Sequence, residues 1–178
     1  MSKLQRHFYT TSSCGVCGKA SLDAIEAQDV SPIVNKQLTV AASLIRQLPD
    51  LLRQQQDIFG STGGLHAAGL FSPSGELIDL REDVGRHNAV DKLVGQQLID
   101  AAEEGQGSGA MSNSILVVSG RASFELVQKA VVAQIPVMVA VGAPSSLAVD
   151  LAKRFGLTLV GFNTGKKFNV YSGGHRVG

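Results

Sequence analysis

A three-layer α/β/α domain built on a mixed sheet is the fold class this sequence predicts, and three observations carry the prediction. The runs Ile115 to Ser119, Val137 to Val141 and Leu157 to Phe162 are short, apolar and rich in β-branched residues, as buried strands are. Helix-length segments at about Ser123–Gln134 and Ser145–Phe155 separate them, and strands alternating with helices of that length imply parallel crossovers. Ahead of these, Leu65 to Phe71 and Glu76 to Glu82 flank the turn Ser72-Pro-Ser-Gly75 and form a β-hairpin, whose strands are antiparallel.

The remaining elements follow in chain order. Ser21 can cap a short helix behind the loop Cys14-Gly-Val-Cys17, and Ser31-Pro32 interrupts that helix. An amphipathic stretch runs from about Asn35 to Ile58; Pro49 is expected to break it into two helices, and Gly60-Ser-Thr-Gly-Gly64 ends it. From Asp83 to about Glu104 the apolar positions Val90, Leu93, Val94, Leu98 and Ala101 recur at helical steps. Gly105 to Asn113 is rich in Gly and Ser without bulky apolar anchors and reads as a mobile surface loop. A last strand, Phe168 to Tyr171, precedes a Ser-Gly-Gly-His-Arg tail expected to be flexible. The domain division is a Cys loop segment over 1–34 and the α/β domain over 35–178, packed as one unit.

Composition excludes more than it names. With no Trp and only two Tyr, an aromatic base-stacking surface is disfavoured, and nucleic acid with it. The net charge of +1 comes from mixed signs with no polybasic arm or acidic tail. No stretch approaches the roughly 18 uninterrupted apolar residues of a membrane span, and Met1 to Thr10 lacks the apolar core of a secretory signal, so a cytoplasmic address is expected. In that reducing compartment two cysteines three positions apart are more readily catalytic, redox or metal-binding than structural.

Cys14 and Cys17 stand in Ser12-Ser-Cys-Gly-Val-Cys-Gly-Lys19, where glycines keep the backbone uncrowded, and Lys19 with the following helix N-terminus would raise the thiolate fraction. Such a pair suits attack on a persulfide. A zinc half-site and a thioredoxin-type dithiol remain open; neither His7, His66, His87 nor His175 has the paired spacing of a finger. Arg86 and His87 lie at a predicted helix start, where free N–H groups favour an anion and Arg86 can clamp a phosphate; a plain capped helix is the alternative. Ser119-Gly-Arg-Ala-Ser123 leaves a strand and opens a helix, so Arg121 stands where ligands of open α/β sheets gather. Gly142-Ala-Pro-Ser-Ser146 repeats that placement after the next strand, where an ordinary strand-to-helix turn serves equally. His66, behind Gly63-Gly64, fits a hydrogen-bonded structural His or a ligand neighbour, and Phe168 to Gly173 fits an edge strand or the lining of a purine pocket.

The element order is similar to that of the cytidine deaminases. Those enzymes need a His or Cys followed by Glu, then Pro-Cys-x-x-Cys, at two helix starts. Here these points read Arg86-His87-Asn88-Ala89 and Gly120-Arg121-Ala122-Ser123, so the zinc ligands and catalytic Glu of deamination are missing and no metal site is expected.

Five segments together resemble the FdhD family of formate dehydrogenase accessory proteins: Ser13-Cys-Gly-Val-Cys-Gly-Lys19, Thr62-Gly-Gly-Leu-His-Ala-Ala-Gly-Leu70, Glu82-Asp-Val-Gly-Arg-His-Asn-Ala-Val-Asp-Lys92, Ser119-Gly-Arg-Ala-Ser-Phe-Glu125 and Gly142-Ala-Pro-Ser-Ser146. That resemblance implies a sulfurtransferase. It would accept persulfide sulfur from a cysteine desulfurase on Cys14, with Cys17 assisting by thiol exchange. The sulfur would pass to molybdenum bis(molybdopterin guanine dinucleotide), bound as substrate, for formate dehydrogenase. The family's cofactor-binding run maps onto Phe168, Asn169, Val170, Tyr171, Ser172 and Gly173, where it would meet the guanine nucleotide moiety; Arg86, His87 and Arg121 join it from the anion argument above. The resemblance also implies a homodimer, and a family segment ahead of the Cys loop that this sequence lacks.

Overall fold

The structure, a computed structural model, describes residues 30–34, 37–56, 63–105 and 109–178. The Cys14–Cys17 loop and the helix expected after Ser21 lie outside these residues.

Helix α1 (Ala42–Gln54) precedes the hairpin of β1 (His66–Phe71) and β2 (Leu77–Asp83). There follow α2 (Arg86–Glu103), β3 (Ile115–Val118), α3 (Phe124–Val132), β4 (Val137–Ala140), α4 (Ser146–Arg154), β5 (Thr158–Gly161) and β6 (Asn169–Ser172). A 3₁₀ turn, Gly174–Arg176, closes the chain. The six strands among the described residues form one sheet in the order β2-β1-β3-β4-β5-β6. β1 is antiparallel to both β2 and β3, β3, β4 and β5 are mutually parallel, and β6 returns antiparallel to β5. The expected mixed sheet and both crossovers are therefore present.

The layers follow from the strand period. Leu116 and Val118 of β3 and Met138 and Ala140 of β4 face one way, into a core with Val90 and Leu93 of α2, Leu126 and Ala130 of α3 and Leu151 of α4. Ile115, Val117, Val137 and Val139 face the other way, onto Ile45, Leu48 and Leu52 of α1. Because both faces are covered, the parallel strands are buried along their whole length, which is why they read as unbroken apolar runs. Among the described residues no helix is long and apolar enough to cross a membrane.

Four expectations need correction. Pro49 does not split its stretch: it lies inside the single helix α1. Its missing N–H orphans the Ile45 carbonyl one turn back, and the side-chain amide of the fully buried Asn163 donates to that carbonyl instead. Leu98 does not face the core with its predicted partners, since it is half exposed. The Gly/Ser-rich loop has an apolar anchor after all, Met111, buried in the helix-side core. The terminal residues are not a loose tail. Arg176 is buried, donating to Gly156 O at 2.8 Å and Thr158 Oγ1 at 3.1 Å. Val40 pairs with Val177, through Val40 N–H to Arg176 O at 2.8 Å and Gly178 N–H to Val40 O at 3.0 Å.

Candidate functional site

The parallel pairing of β3 and β4 does not stop at the strand ends. Val141 N–H donates to Val118 O, Gly142 N–H to Gly120 O and Ser145 N–H to Ala122 O, at 3.2, 2.9 and 3.0 Å, so the two strand-to-helix loops run side by side. The loops approach so closely that a Cβ on Gly142 would meet the Arg121 backbone at 3.1 Å and its Cγ at 2.9 Å. Any larger residue there would force the Arg121 segment to shift. The N-termini of α3 and α4 consequently lie side by side at the carboxyl edge of the sheet, where first-turn N–H groups carry partial positive charge.

A third helix start completes the site. Asp83, ending β2, accepts from Gly85 N–H at 2.9 Å and from Asn88 Nδ2 at 3.1 Å, and pairs with Lys92 at 2.5 Å. The Lys92 hydrogen bond, then the Gly85 N–H, hold its carboxyl down to about 2, so it stays ionised and pins the first turn of α2. That turn delivers Arg86 to the cleft. Arg86, Arg121, Ala122, Ser123, Ala143, Pro144 and Ser145 line a space of about 320 Å3. Arg86 Nε is buried and has no hydrogen-bond partner among the described residues. Two guanidinium groups and two helix N-termini around one opening are groups of the kind that bind a phosphate-like anion.

His87 is adjacent but does not line this space. Its Nε2 lies 2.9 Å from Ser123 Oγ and 3.8 Å from Glu125 Oε2. Burial, then the Arg86 charge, push its pKa below 6.5 against the opposing pull of Glu125, so the ring is mostly neutral at pH 7.

The run Phe168 to Gly173 is divided by its own strand. Phe168 packs on the α1 side of the sheet and Tyr171 on the other. Tyr171 reaches the cleft margin: a Cβ on Gly161 would sit 3.1 Å from the Tyr171 ring and 2.9 Å from Pro144. Asn169 and Val170 are exposed. Ser172 and Gly173 hold the fold instead, the Ser172 hydroxyl donating to Leu157 O at 2.6 Å and Gly173 O accepting from Thr158 Oγ1 at 2.8 Å. Arg86, Arg121 and Tyr171 are thus gathered, while Phe168 faces away. His66 lines a second opening, on the α1 side, with Arg53, Gln56, Gly63, Gly64, Leu65 and Ser119. Ser123 was not singled out as a site residue by sequence reasoning. Its position before α3 was visible, but its bond to a residue thirty-six positions away was not.

A model described as the FdhD/NarQ family matches residues 1–178. A sulfur carrier protein FdhD from Streptomyces coelicolor is 59% identical over 175 residues, covering 98% of this chain and 60% of that protein. One from Mycobacterium tuberculosis is 52% identical over 172 residues (97% and 60%), and one from Sulfurisphaera tokodaii 45% identical over 172 residues (97% and 63%). The chain therefore spans about 60% of the length of these relatives. A crystal structure of a candidate formate dehydrogenase accessory protein from Desulfotalea psychrophila superimposes with a TM-score of 0.71 at 31% identity, over 85% of this chain and 61% of that one. With five motifs, the mixed sheet and a family match along its whole length, the chain belongs to the FdhD/NarQ family.

Proposed function

We propose that this chain carries sulfur as a persulfide on Cys14 and delivers it to molybdenum bis(molybdopterin guanine dinucleotide), the substrate that formate dehydrogenase later uses as cofactor. The observation that carries this reading is the Arg86–Arg121 cleft, shaped for a phosphate-bearing ligand in a chain whose relatives are named sulfur carriers. The diphosphate of one guanine dinucleotide arm would sit between the two guanidinium groups, with Tyr171 at the margin available to its base.

The chemistry needs only thiols. The Cys14 thiolate attacks the terminal sulfur of a cysteine desulfurase persulfide, the donor leaves as a thiolate, and Cys14 keeps the sulfur. The Cys17 thiolate then attacks the Cys14 sulfur. The terminal sulfur departs with the bonding electrons as hydrosulfide, toward molybdenum, and the Cys14–Cys17 disulfide left behind is reduced by a thiol reductant. A cytoplasmic homodimer acting between desulfurase and formate dehydrogenase belongs to the same reading.

Intact-mass analysis after incubation with a cysteine desulfurase and cysteine tests it. The native chain is expected to gain one sulfur and Cys14→Ala none, while Cys17→Ala should load but fail to release. Loading that persists in Cys14→Ala would sink the assignment of the carrier, and no loading of any form would leave cofactor holding as the role.

A further inference from the structure

Ser123 precedes α3 in the position from which a serine normally caps a helix, yet its hydroxyl makes no bond to the first-turn N–H groups. Ser145, in the equivalent place before α4, does cap, accepting from Ala148 N–H at 3.2 Å. The Ser123 hydroxyl is engaged instead by His87 Nε2 at 2.9 Å, while its residue lines the anion cleft from which His87 is excluded. The groups around the imidazole are Arg86 and Asp91 on α2 and Glu125 and Lys129 on α3. Lys129 is bonded to Asp91, and the buried Glu125 Oε2 has no hydrogen-bond partner among the described residues and stands 3.8 Å from Nε2.

A neutral ring protonated on Nδ1 can only accept at Nε2, which holds the Ser123 hydrogen on the imidazole. A protonated ring can only donate there, to Ser123 Oγ and toward Glu125, which frees the hydroxyl hydrogen to rotate into the cleft. We propose that His87 is a positioning residue that, on gaining a proton, turns Ser123 into a donor for an anion held between Arg86 and Arg121, so that the cleft tightens on its ligand as pH falls. The proposal rests on reading the cleft as the seat of the cofactor's diphosphate, and it adds a proton-controlled step to that reading: strong retention when His87 is charged, release when it is neutral. Because burial and Arg86 oppose the charged ring, the switch works on the acid side of neutrality.

Sulfate is the probe, since it remains a dianion throughout, titrated calorimetrically into the 178-residue chain at about pH 8 and about pH 5.5. The native chain should bind more tightly at the lower pH, by up to about tenfold, the full effect of one added hydrogen bond to a charged group. His87→Gln and Ser123→Ala should each cut that gain to about twofold or less. By reciprocity, saturating sulfate should raise the pKa read from the His87 ring proton resonances of the native chain, a readout that a purely structural histidine would not move and that requires no variant. Sulfate binding that gains equally in His87→Gln overturns the switch and leaves the cleft standing. No binding at either pH, or binding indifferent to Arg121→Gln, overturns both.

Discussion

Asp83 shows how much of this site depends on one carboxylate. It gathers Lys92, the Gly85 N–H and the Asn88 amide where β2 gives way to α2, and so sets the direction in which Arg86 leaves the helix. The largest contribution to its low pKa is the Lys92 hydrogen bond. Lys92→Ala is therefore expected to move the Asp83 carboxyl up from about 2 toward the ordinary carboxylate range, as followed by carboxyl-carbon NMR. The sign for stability follows from a folded pKa that is depressed. The contribution is fully present above the unfolded value near about 4 and is lost as pH falls through the folded value. The native chain should thus lose it progressively between about pH 4 and about pH 2, whereas the variant, with less of it at neutral pH, unfolds at a higher pH in an acid titration. An unchanged Asp83 titration in Lys92→Ala would assign the low pKa to the Gly85 N–H instead.

Among the elements, α1 is the one whose local chemistry is overruled from a distance. A proline in a helix interior costs about 3 kcal/mol when nothing replaces the lost bond. Here Ile45, Leu48 and Leu52 keep the helix on the sheet on both sides of Pro49, and Asn163, beyond β5, satisfies the orphaned carbonyl. Asn163→Ala should cost about 2 kcal/mol in urea unfolding, as a buried acceptor left without a donor. In a Pro49→Ala background the restored N–H can serve the Ile45 carbonyl, so the same substitution should cost about 1 kcal/mol less. The residual cost belongs to Gly165 N–H, which donates to Asn163 Oδ1 at 3.2 Å. Strict additivity in this double-mutant cycle would show that the Asn163 contact does not compensate the proline.

At the scale of the whole molecule the two layers around the sheet are held unequally. α2, α3 and α4 share one continuous core, whereas among the described residues α1 is the one helix on the opposite face. The chain's end secures it: Val177 and Gly178 pair with the segment leading into α1, and the buried Arg176 guanidinium bonds to Gly156 O and Thr158 Oγ1 beneath. Arg176→Ala should destabilise by about 3 kcal/mol, lowering the melting temperature by roughly 6–12 °C. Amide exchange should quicken first at Val40 and Ala42 while β3, β4 and β5 stay protected. Equal loss of protection across the sheet would show that the two layers unfold as one.

The hairpin, the three parallel strands and the helices between them were legible in the residue order, because each is a local pattern: a Ser-Pro-Ser-Gly turn, β-branched runs buried on both faces, apolar steps along a helix. So were the two strand-to-helix loops that carry Arg121 and Pro144, since Gly, Ser and Pro announce such turns in isolation. What only the folded chain decided are the contacts between residues far apart in sequence. Asn163 rescues Pro49, Val177 finds Val40, Met111 enters the core, and His87 takes Ser123 from its cap. The apolar period places a side chain on a face. Which group it meets there depends on how the layers close over the sheet, and that closure sets Arg86 beside Arg121 while turning Phe168 away from both.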